Sequence, residues 1–386
     1  MPKKRKNDEY NNSILPPTYS NASYYFEGLN DVVDGLHDRT IKRGRYGRYN
    51  NPTWVVAEER LSEVFRSEKS LIFASGMAAH FTAFTCLVKA GDHVVLPSES
   101  YRQVRNVFHK ILPKFGVTVH EIPIRNTEVF LQRLRSLPQL ALVHLEMPSS
   151  PHMYLTDIKG VRESVGKDTI ITLDCSFSPP PNFYPLSCGV DLAICSGTKY
   201  LSGHGDILVG TVCGRADLID KVSWYRDTTG AIPDARVAEL LIRGLYTLNL
   251  RMQKVNSSAS MVAEYLDSEQ RIPTVLYTGL ACHPHRKLAV EYLKGHGGVI
   301  TFDTHRSKNE TAKFVDALRI PFMASNFGAP QTLIEQSTLF TYFEYSNDEL
   351  DSIGVSHGTV RLSIGYTDEA DEIIEDIKSS LNRLIP

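Results

Sequence analysis

The sequence lacks long apolar segments, a strong excess of charge and any clustering of its cysteines. None of its apolar runs approaches the roughly 20 residues that a membrane-spanning helix needs, and no secretory signal pattern is visible. The formal net charge of −2 gives no reason to expect a polyanionic partner. The six cysteines are scattered without a CxxC pair, which favours reduced thiols over a disulfide framework. We therefore expect a cytoplasmic protein that does not bind membranes.

The amino terminus carries a cluster of basic residues. Met1–Lys6 reads MPKKRK, which could serve as a nuclear-localisation or nucleic-acid-binding patch. The simpler interpretation is a solvated, flexible tail, because no other segment is basic in the same way. We expect no nucleic-acid partner.

Composition and pattern divide the chain into three parts. With 386 residues, of which 42% are hydrophobic, the chain can form two or three domains with sizeable cores. Residues 1–52 are rich in Asn, Tyr, Ser and Gly, and they predict an irregular arm with one short helix near Leu29–Leu36. From Thr53, which we expect to be the N-cap of a helix, periodic segments continue to the end. The predicted domains are an α/β domain at 53–232 and a smaller α+β domain at 233–386.

Short apolar segments alternate with helical ones in the middle of the chain. Such alternation predicts the α/β class, with a mostly parallel, seven-stranded sheet covered by helices on both faces. The predicted strands are Leu71–Phe73, His93–Leu96, Val117–Glu121, Ala141–Leu145, Thr169–Leu173, Leu192–Cys195 and Val209–Cys213. The predicted elements of the carboxyl-terminal part are a long helical region at 234–268, strands at 274–277, 298–302 and 359–364, and helices at 284–294, 309–318 and 368–383.

Lys199 and Asp174 form the pair with the clearest chemical meaning. Asp174 ends one apolar segment, and Lys199 follows another within a run of small and hydroxyl-bearing residues. Ligands of doubly wound sheets bind outside the carboxyl ends of the strands, where both residues are expected. Pyridoxal 5'-phosphate (PLP) chemistry requires such a pair, because the amine forms the Schiff base and the carboxylate keeps the ring nitrogen protonated. The alternative is a solvated lysine and an aspartate paired within the protein.

Small residues near this pair predict a phosphate site. Ser75-Gly76-Met77 joins a predicted strand to a helix, whose first N–H groups and dipole favour an anion. Ser196 and Thr198 add two hydroxyls beside Lys199. The alternative is an ordinary turn between a strand and a helix, since the GxxxxGK[ST] pattern is absent here.

Two other motifs suggest different chemistry. Ser196-Gly-Thr-Lys199 matches the S-x-x-K of penicillin-binding serine enzymes, but the SDN and KTG elements of those enzymes are missing. Cys282-His283-Pro-His285 offers at most three metal ligands in one turn, with no fourth nearby in sequence. We expect a structural loop there and no metal.

Arg361 lies within the apolar segment Val360–Ile364, which is an unusual place for a charge. A buried arginine needs an anion, and a carboxylate can pair with it through two hydrogen bonds. Its partner is therefore either an internal Asp or Glu, or the α-carboxylate of an amino-acid substrate.

Together these motifs resemble the Cys/Met-metabolism family of fold-type-I PLP enzymes, and most of all its plant-like cystathionine γ-synthases. The stretch from Tyr46 to Thr53 is similar to the family's YxRxxNPT, and Ser75–Ala79 is similar to its phosphate-cup motif. VRLSIG around Arg361 resembles the strand with the carboxylate-binding arginine. The cofactor-binding residues that the resemblance implies are Tyr46, Arg48, Ser75, Gly76, Met77, Tyr101, Asp174, Ser196, Thr198 and Lys199.

The resemblance also implies roles and an assembly. Tyr101 is expected to stack on the ring and to assist Lys199 in catalysis, while Tyr46 and Arg48 are expected to reach the active site of a neighbouring subunit. A dimer would then be the minimal active unit, and a homotetramer is common in the family. The residues implied on the substrate side are Ser150, Ser325, Asn326 and Arg361.

The substrate side departs from the family pattern. Ser150 stands where the family has an asparagine in ExPxNP, while Asn326 and Gln331 stand where it has a serine and a glutamate. The expected activity is γ-replacement on an L-amino acid with a leaving group on Cγ, such as an activated homoserine, by a thiol or another nucleophile. A γ-lyase that releases a 2-oxo acid and ammonia, a specialised enzyme for an unusual substrate such as a sulfonium, and a non-catalytic regulatory protein are the alternatives.

Overall fold

The computed structural model describes residues 13–30, 32–33 and 46–384. Within these residues the chain builds two β-sheets, each covered by helices. Half of the helix predicted near Leu29–Leu36 and the whole basic cluster Met1–Lys6 lie outside the described residues. No helix in the described part of the chain has the length and apolar composition to cross a bilayer.

The first sheet has seven strands in the order β1-β7-β6-β5-β4-β2-β3. Only β7 runs antiparallel to its neighbours β1 and β6, so the predicted mostly parallel sheet is confirmed. The strands are β1 (Lys69–Phe73), β2 (His93–Pro97), β3 (Thr118–Ile122), β4 (Leu142–Glu146), β5 (Ile170–Asp174), β6 (Leu192–Ser196) and β7 (Gly210–Gly214).

Helices cover both faces of this sheet. Successive strand residues point to opposite faces, so in β6 Ala193 joins one core and Ile194 joins the other. The helices are α1 (Pro52–Phe65), α2 (Gly76–Leu87), α3 (Arg102–Asn106), α4 (Thr127–Arg135), α5 (Ile158–Ser164), α6 (Ala216–Thr229) and α7 (Ala235–Tyr246). A π-helical turn at Val107–Ile111 and 3₁₀ turns at Leu112–Phe115 and Pro185–Cys188 complete this part.

The start of α1 differs from the expectation. Asn51, not Thr53, is the N-cap, and its side chain accepts a hydrogen bond from the Thr53 backbone N–H at 2.9 Å. Pro52 occupies the first helical position, where its missing N–H costs nothing and its fixed φ already suits a helix. The predicted cap was wrong because the proline moves the helix start two residues earlier than the apolar pattern indicates.

The second sheet has five strands in the order β10-β11-β12-β9-β8. The pair β10 and β11 is parallel, and the other pairs are antiparallel. The strands are β8 (Thr274–Leu276), β9 (Val299–Asp303), β10 (Phe322–Met323), β11 (Leu333–Gln336) and β12 (Thr359–Ser363). The helices are α8 (Leu248–Ser268), α9 (Arg286–Tyr292), α10 (Lys308–Asp316), α11 (Asn347–Ile353) and α12 (Ala370–Leu384).

Three features of this part were not predicted. The long helical region breaks at Thr247, which has φ −105° and ψ 4° and separates α7 from α8. The strands β10 and β11 and the helix α11 were missed. All four residues of β11 are buried although two of them, Glu335 and Gln336, are polar, so neither an apolar run nor an alternating pattern marks the strand.

The second sheet turns a polar face toward the active-site edge of the first. Arg361 lies directly opposite Glu335 on one side and Thr301 on the other, and residues paired in this way share a face. Their neighbours Val360 and Leu362 point the other way, into the core beneath the helices. Charged groups of β11 and β12 are thus placed beside the carboxyl ends of β4, β5 and β6.

Candidate active site

Most of the predicted site residues surround one cavity of about 260 Å³ between the two sheets. The cavity lies at the carboxyl ends of β4, β5 and β6, where the parallel strands were expected to present ligand-binding groups. The predicted residues that line it are Ser75, Gly76, Met77, Tyr101, Ser150, Asp174, Ser196, Thr198, Lys199, Ser325 and Arg361.

Lys199 lies in the turn after β6 with its side chain largely enclosed. Its Nζ donates a hydrogen bond to the Asn326 side chain and lies 4.8 Å from the centre of the Phe327 ring. Burial lowers the pKa of Lys199 to about 8, and the nearby charge of Arg361 adds to the shift. A substantial fraction of this amine is therefore neutral, and able to accept a proton, near physiological pH.

Asp174 is the last residue of β5, and its two oxygens have different neighbours. Oδ1 accepts a hydrogen bond from the Ser176 backbone N–H at 2.8 Å, and Oδ2 lies 3.1 Å from His80 Nε2. Burial alone would raise the pKa of Asp174, but His80 and Ser176 outweigh it and the pKa is lowered. The carboxylate is therefore ionised, as a partner of a protonated ring nitrogen must be.

The amino terminus of α2 forms a cradle against the end of β6. The Ser75 hydroxyl accepts a hydrogen bond from the Ala78 N–H at 3.1 Å and caps the helix. A Cβ at Gly76 would lie only 3.1 Å from Ser196 Cβ and 3.2 Å from its Oγ, so this close approach favours glycine. Helix N–H groups and the Ser196 hydroxyl thus converge where a phosphate can bind.

Thr198 makes contacts within the protein that were not predicted. Its hydroxyl accepts a hydrogen bond from the Val209 N–H at 2.9 Å and is 3.3 Å from the Val209 carbonyl oxygen. Thr198 therefore also fixes the turn that carries Lys199 against the chain entering β7.

Arg361 has the internal partner that the sequence left as an alternative. Its Nη1 lies 3.3 Å from Glu335 Oε1, and both side chains are buried. The same Glu335 oxygen accepts a hydrogen bond from the Thr341 hydroxyl at 2.7 Å. Arg361 Nε, however, has no hydrogen-bond partner among the described residues although it is buried. The guanidinium therefore keeps donor capacity on a cavity that it lines.

Glu146 connects two loops that line the cavity. Its Oε2 accepts a hydrogen bond from the Tyr101 N–H at 2.6 Å, and its Oε1 accepts one from the Ser150 N–H at 3.2 Å. Burial, together with the nearby charge of Asp174, raises the pKa of Glu146 well above its usual value. Tyr101 is 44% exposed, and partial desolvation raises the pKa of its phenol, which is therefore protonated at neutral pH.

Tyr46 and Arg48 lie outside this cavity in their own chain. They line a separate cavity of about 470 Å³, and Arg48 Nη1 donates to the Asp227 carbonyl oxygen at 2.7 Å. Tyr46 is 44% exposed, although it is a large aromatic residue. Their expected contribution to a neighbouring subunit stays a prediction.

Several residues of the cavity were not recognised in the sequence. His80 follows Gly76 by one helical turn, and this spacing could have indicated a contact with the cradle. Glu335 and Phe327 left no such signal, because only the folding of the second sheet brings them to Lys199 and Arg361. The lining residues without a predicted role are His80, Arg102, Glu146, Ser176, Phe177, Leu208, Phe327, Thr341 and Tyr342.

A larger cleft of about 840 Å³ lies elsewhere between the sheets and includes Arg125, His152 and Asp303. It contains none of the predicted site residues. The nearby His285 is held by the backbone, since its Nδ1 accepts from the Leu155 N–H at 2.9 Å. Among the described residues no group of three potential ligands could hold a metal ion.

Comparison with known proteins gives consistent matches over nearly the whole chain. The model of the family described as Cys/Met metabolism PLP-dependent enzyme matches residues 2–382. The chain is 33% identical over 373 residues to the chloroplastic cystathionine gamma-synthase 1 of Arabidopsis thaliana, covering 96% of this chain and 64% of that protein. It is 30% identical over 376 residues to the L-methionine gamma-lyase of Pseudomonas putida, covering 97% and 94%.

A solved structure shares the fold. The chain is similar to cystathionine gamma synthase from Xanthomonas oryzae pv. oryzae, crystallised in complex with aminoacrylate and cysteine. The TM-score is 0.89 at 28% identity, and the match covers 97% of this chain and 94% of the other. The predicted fold-type-I architecture is thereby confirmed.

Proposed function

Because this chain belongs to the Cys/Met metabolism family of PLP-dependent enzymes, we propose that it catalyses γ-replacement on an L-amino acid. The substrate carries a leaving group on Cγ, as an activated homoserine does, and a thiol or another nucleophile takes that group's place. The observation that carries the proposal is the convergence of Lys199, Asp174 and Arg361 on one cavity beside the α2 cradle. The similarity to cystathionine gamma-synthases supports the reaction type.

The residues around the cavity fit PLP. Lys199 would hold the cofactor covalently, the ionised Asp174 would face its ring nitrogen, and Tyr101 would cover its ring. The phosphate would occupy the cradle at Gly76, where a Cβ would crowd Ser196. When bound, PLP draws electrons away from the substrate's Cα and so weakens the bonds that must break.

Lys199 is the residue that moves protons. Its amine, with a pKa lowered to about 8, can take the proton from the substrate's Cα and then assist the removal of a proton from Cβ. The Asn326 side chain and the Phe327 ring limit the positions that the Lys199 amine can adopt once it is released from the cofactor. These two contacts orient the nitrogen along the substrate, which suits proton transfer at neighbouring carbons.

Arg361 and Tyr101 act on the two ends of the substrate. Arg361 offers its unpaired Nε to the α-carboxylate and keeps Glu335 as the internal partner that orients the guanidinium. The Tyr101 phenol is protonated at neutral pH, since partial desolvation raises its pKa further above that range, so it can donate its proton to the group leaving Cγ.

A γ-lyase activity is the second candidate. It is favoured by the similarity to L-methionine gamma-lyases. An enzyme of this kind uses water in place of a second substrate, and its products are the released Cγ group, a 2-oxo acid and ammonia. The altered residues Asn326 and Gln331 instead support a specialised substrate, such as one with a sulfonium leaving group.

The test is product profiling by mass spectrometry. The purified holoenzyme is incubated with acyl and phosphoryl esters of homoserine, with methionine and with a sulfonium amino acid, each with and without cysteine. We expect a new thioether amino acid that forms only with cysteine present. Release of a 2-oxo acid and ammonia at equal rates with and without cysteine would instead establish the γ-lyase.

The matched control is Lys199→Ala, which leaves Arg361 and the cradle in place. We expect it to form no product from any substrate of the panel. Turnover at the wild-type rate would exclude Lys199 as the proton-moving residue.

The assembly, the domain limits and the location are proposals as well. We infer an arm at 1–52, a PLP-binding domain at 53–232 and a carboxyl-terminal domain at 233–386. Exposed Tyr46 supports a dimer in which Tyr46 and Arg48 complete the partner's site, with a tetramer as the larger assembly. The scattered cysteines of the sequence support a cytoplasmic location.

A further inference from the structure

His80 is a buried ionisable group of the cavity lining that the proposed mechanism does not use. It lies on α2, one turn after Gly76, with its side chain only 3% exposed. Its Nδ1 lies 2.8 Å from the Gly76 carbonyl oxygen, and its Nε2 lies 3.1 Å from Asp174 Oδ2. The second contact is an ion-pair contact that falls short of good hydrogen-bond alignment. Both ring nitrogens therefore face oxygen acceptors.

The two contacts of the His80 ring need two protons to be favourable. A neutral imidazole carries one N–H, and a carbonyl oxygen such as that of Gly76 can only accept. With that proton on Nδ1, the lone pair of Nε2 would face the lone pairs of Asp174 Oδ2 unless another proton lies between them. The pKa of Asp174 is lowered, with His80 as the main opposing cause to burial, so this second proton stays off the carboxylate and lies on the imidazole side of the contact.

We propose that His80 is a positioning residue whose positive charge keeps the Asp174 carboxylate ionised and directed toward the ring nitrogen of the cofactor. This inference rests on the proposed role of Asp174. The carboxylate contacts His80 through Oδ2 and the Ser176 N–H through Oδ1, and with PLP bound it would have the ring nitrogen as a second cationic neighbour.

The charge of His80 acts on the proton between Asp174 and the ring nitrogen. Two states compete there: a protonated ring beside a carboxylate, and an unprotonated ring beside a neutral carboxyl. His80 touches Asp174 directly, so its charge stabilises the carboxylate more than it repels the protonated ring. Its removal shifts the proton from the ring nitrogen toward Asp174, because burial then acts on the carboxyl without compensation.

The neighbouring His144 provides a matched control. Its ring lies 5.4 Å from that of His80, and its Nδ1 lies 3.0 Å from the Thr172 hydroxyl. Burial lowers the pKa of His144 to about 3, so this second histidine is neutral. His144→Phe therefore removes a buried imidazole from the same cluster without removing a charge from Asp174.

The experiment is ¹⁵N NMR of the holoenzyme reconstituted with PLP labelled at the ring nitrogen, without amino-acid substrate. The variants are His80→Leu, His80→Gln and His144→Phe. We expect the ring nitrogen to be protonated in the wild type and in His144→Phe. In His80→Leu its protonation constant falls about tenfold or more, since one charge-assisted contact is lost. His80→Gln keeps a donor without the charge, so its protonation constant falls less.

The ¹⁵N shifts separate an effect of the His80 charge from a general effect of altering this cluster. A wild-type ¹⁵N shift in both His80 variants overturns the proposal, as does an equal change in His144→Phe. If His80→Leu does not fold, the shift of His80→Gln alone decides. Asp174→Asn separates the two levels of the argument, because a wild-type shift in that variant refutes the role of Asp174 itself.

Discussion

Substitution of Arg361 distinguishes the two partners that this arginine can serve. Arg361→Lys keeps a positive charge beside Glu335 but removes the planar pair of donors that a substrate carboxylate needs. The side chain is 8% exposed, so solvent screens its hydrogen bonds little. A hydrogen bond to a charged group in such a place is worth about 1.5–3 kcal/mol, which corresponds to a rise in KM of about 10- to 150-fold.

The assay is steady-state kinetics with the best γ-substituted amino acid of the product panel and with its decarboxylated amine. We expect the wild type to prefer the amino acid over the amine. In Arg361→Lys this preference should fall by the same factor by which KM for the amino acid rises, with kcat changed much less. Glu335→Gln is the control, because its amide still accepts from Thr341 and Arg361 while the charge is gone. It should lower the free energy of unfolding without raising KM.

One result would refute this reasoning. If Arg361→Lys leaves KM for the amino acid unchanged and only the free energy of unfolding falls, the guanidinium serves Glu335 alone. The substrate's carboxylate must then bind elsewhere in the cavity.

Three further predictions follow from the same site. The pKa of Lys199 is about 8 in the folded protein and 10.5 ordinarily, so the unfolded chain binds more protons between these pH values. The free energy of unfolding of the cofactor-free protein should therefore rise by about 2–3 kcal/mol from pH 8 to pH 10.5 relative to Lys199→Met. Equal pH profiles of the two proteins in denaturant titrations would contradict this. Gly76→Ala, which places a Cβ against Ser196, should weaken PLP binding about tenfold in equilibrium dialysis, and unchanged affinity would argue against the cradle. Arg48→Ala and Lys199→Ala should each be inactive. When equal amounts of the two variants are mixed and their subunits exchange, on the order of a quarter of the activity should return, since half of the randomly paired dimers hold one intact site of two. No recovery would mean that Arg48 acts in its own subunit's site.

Much of the first sheet was predictable because its strands are buried on both faces. A segment such as Leu192–Cys195 is continuously apolar, and helices separate most of the strands along the chain, so the mostly parallel arrangement follows from pattern alone. β11 escaped prediction for the opposite reason. Its Glu335 is buried because Arg361 and Thr341 lie beside it, and only the pairing of β11 with β12 brings Arg361 there.

The capping of α1 and the break at Thr247 illustrate a finer limit. Asn51, Pro52 and Thr53 are all acceptable near a helix start, and only the observed hydrogen bond from the Thr53 N–H shows which residue is the cap. The break between α7 and α8 leaves the apolar periodicity nearly continuous across it, so periodicity could not reveal it.

The chemistry of the site is encoded locally, because residue types such as the lysine after β6 and the aspartate ending β5 are set by the reaction that they perform. The class of fold, the cofactor and the motif residues could therefore be inferred without coordinates. The state of these groups is a property of their surroundings. His80 beside Asp174, Glu335 beside Arg361 and Asn326 beside Lys199 are contacts between distant segments, and electrostatic energies depend on separation in space and burial, which the order of residues does not specify.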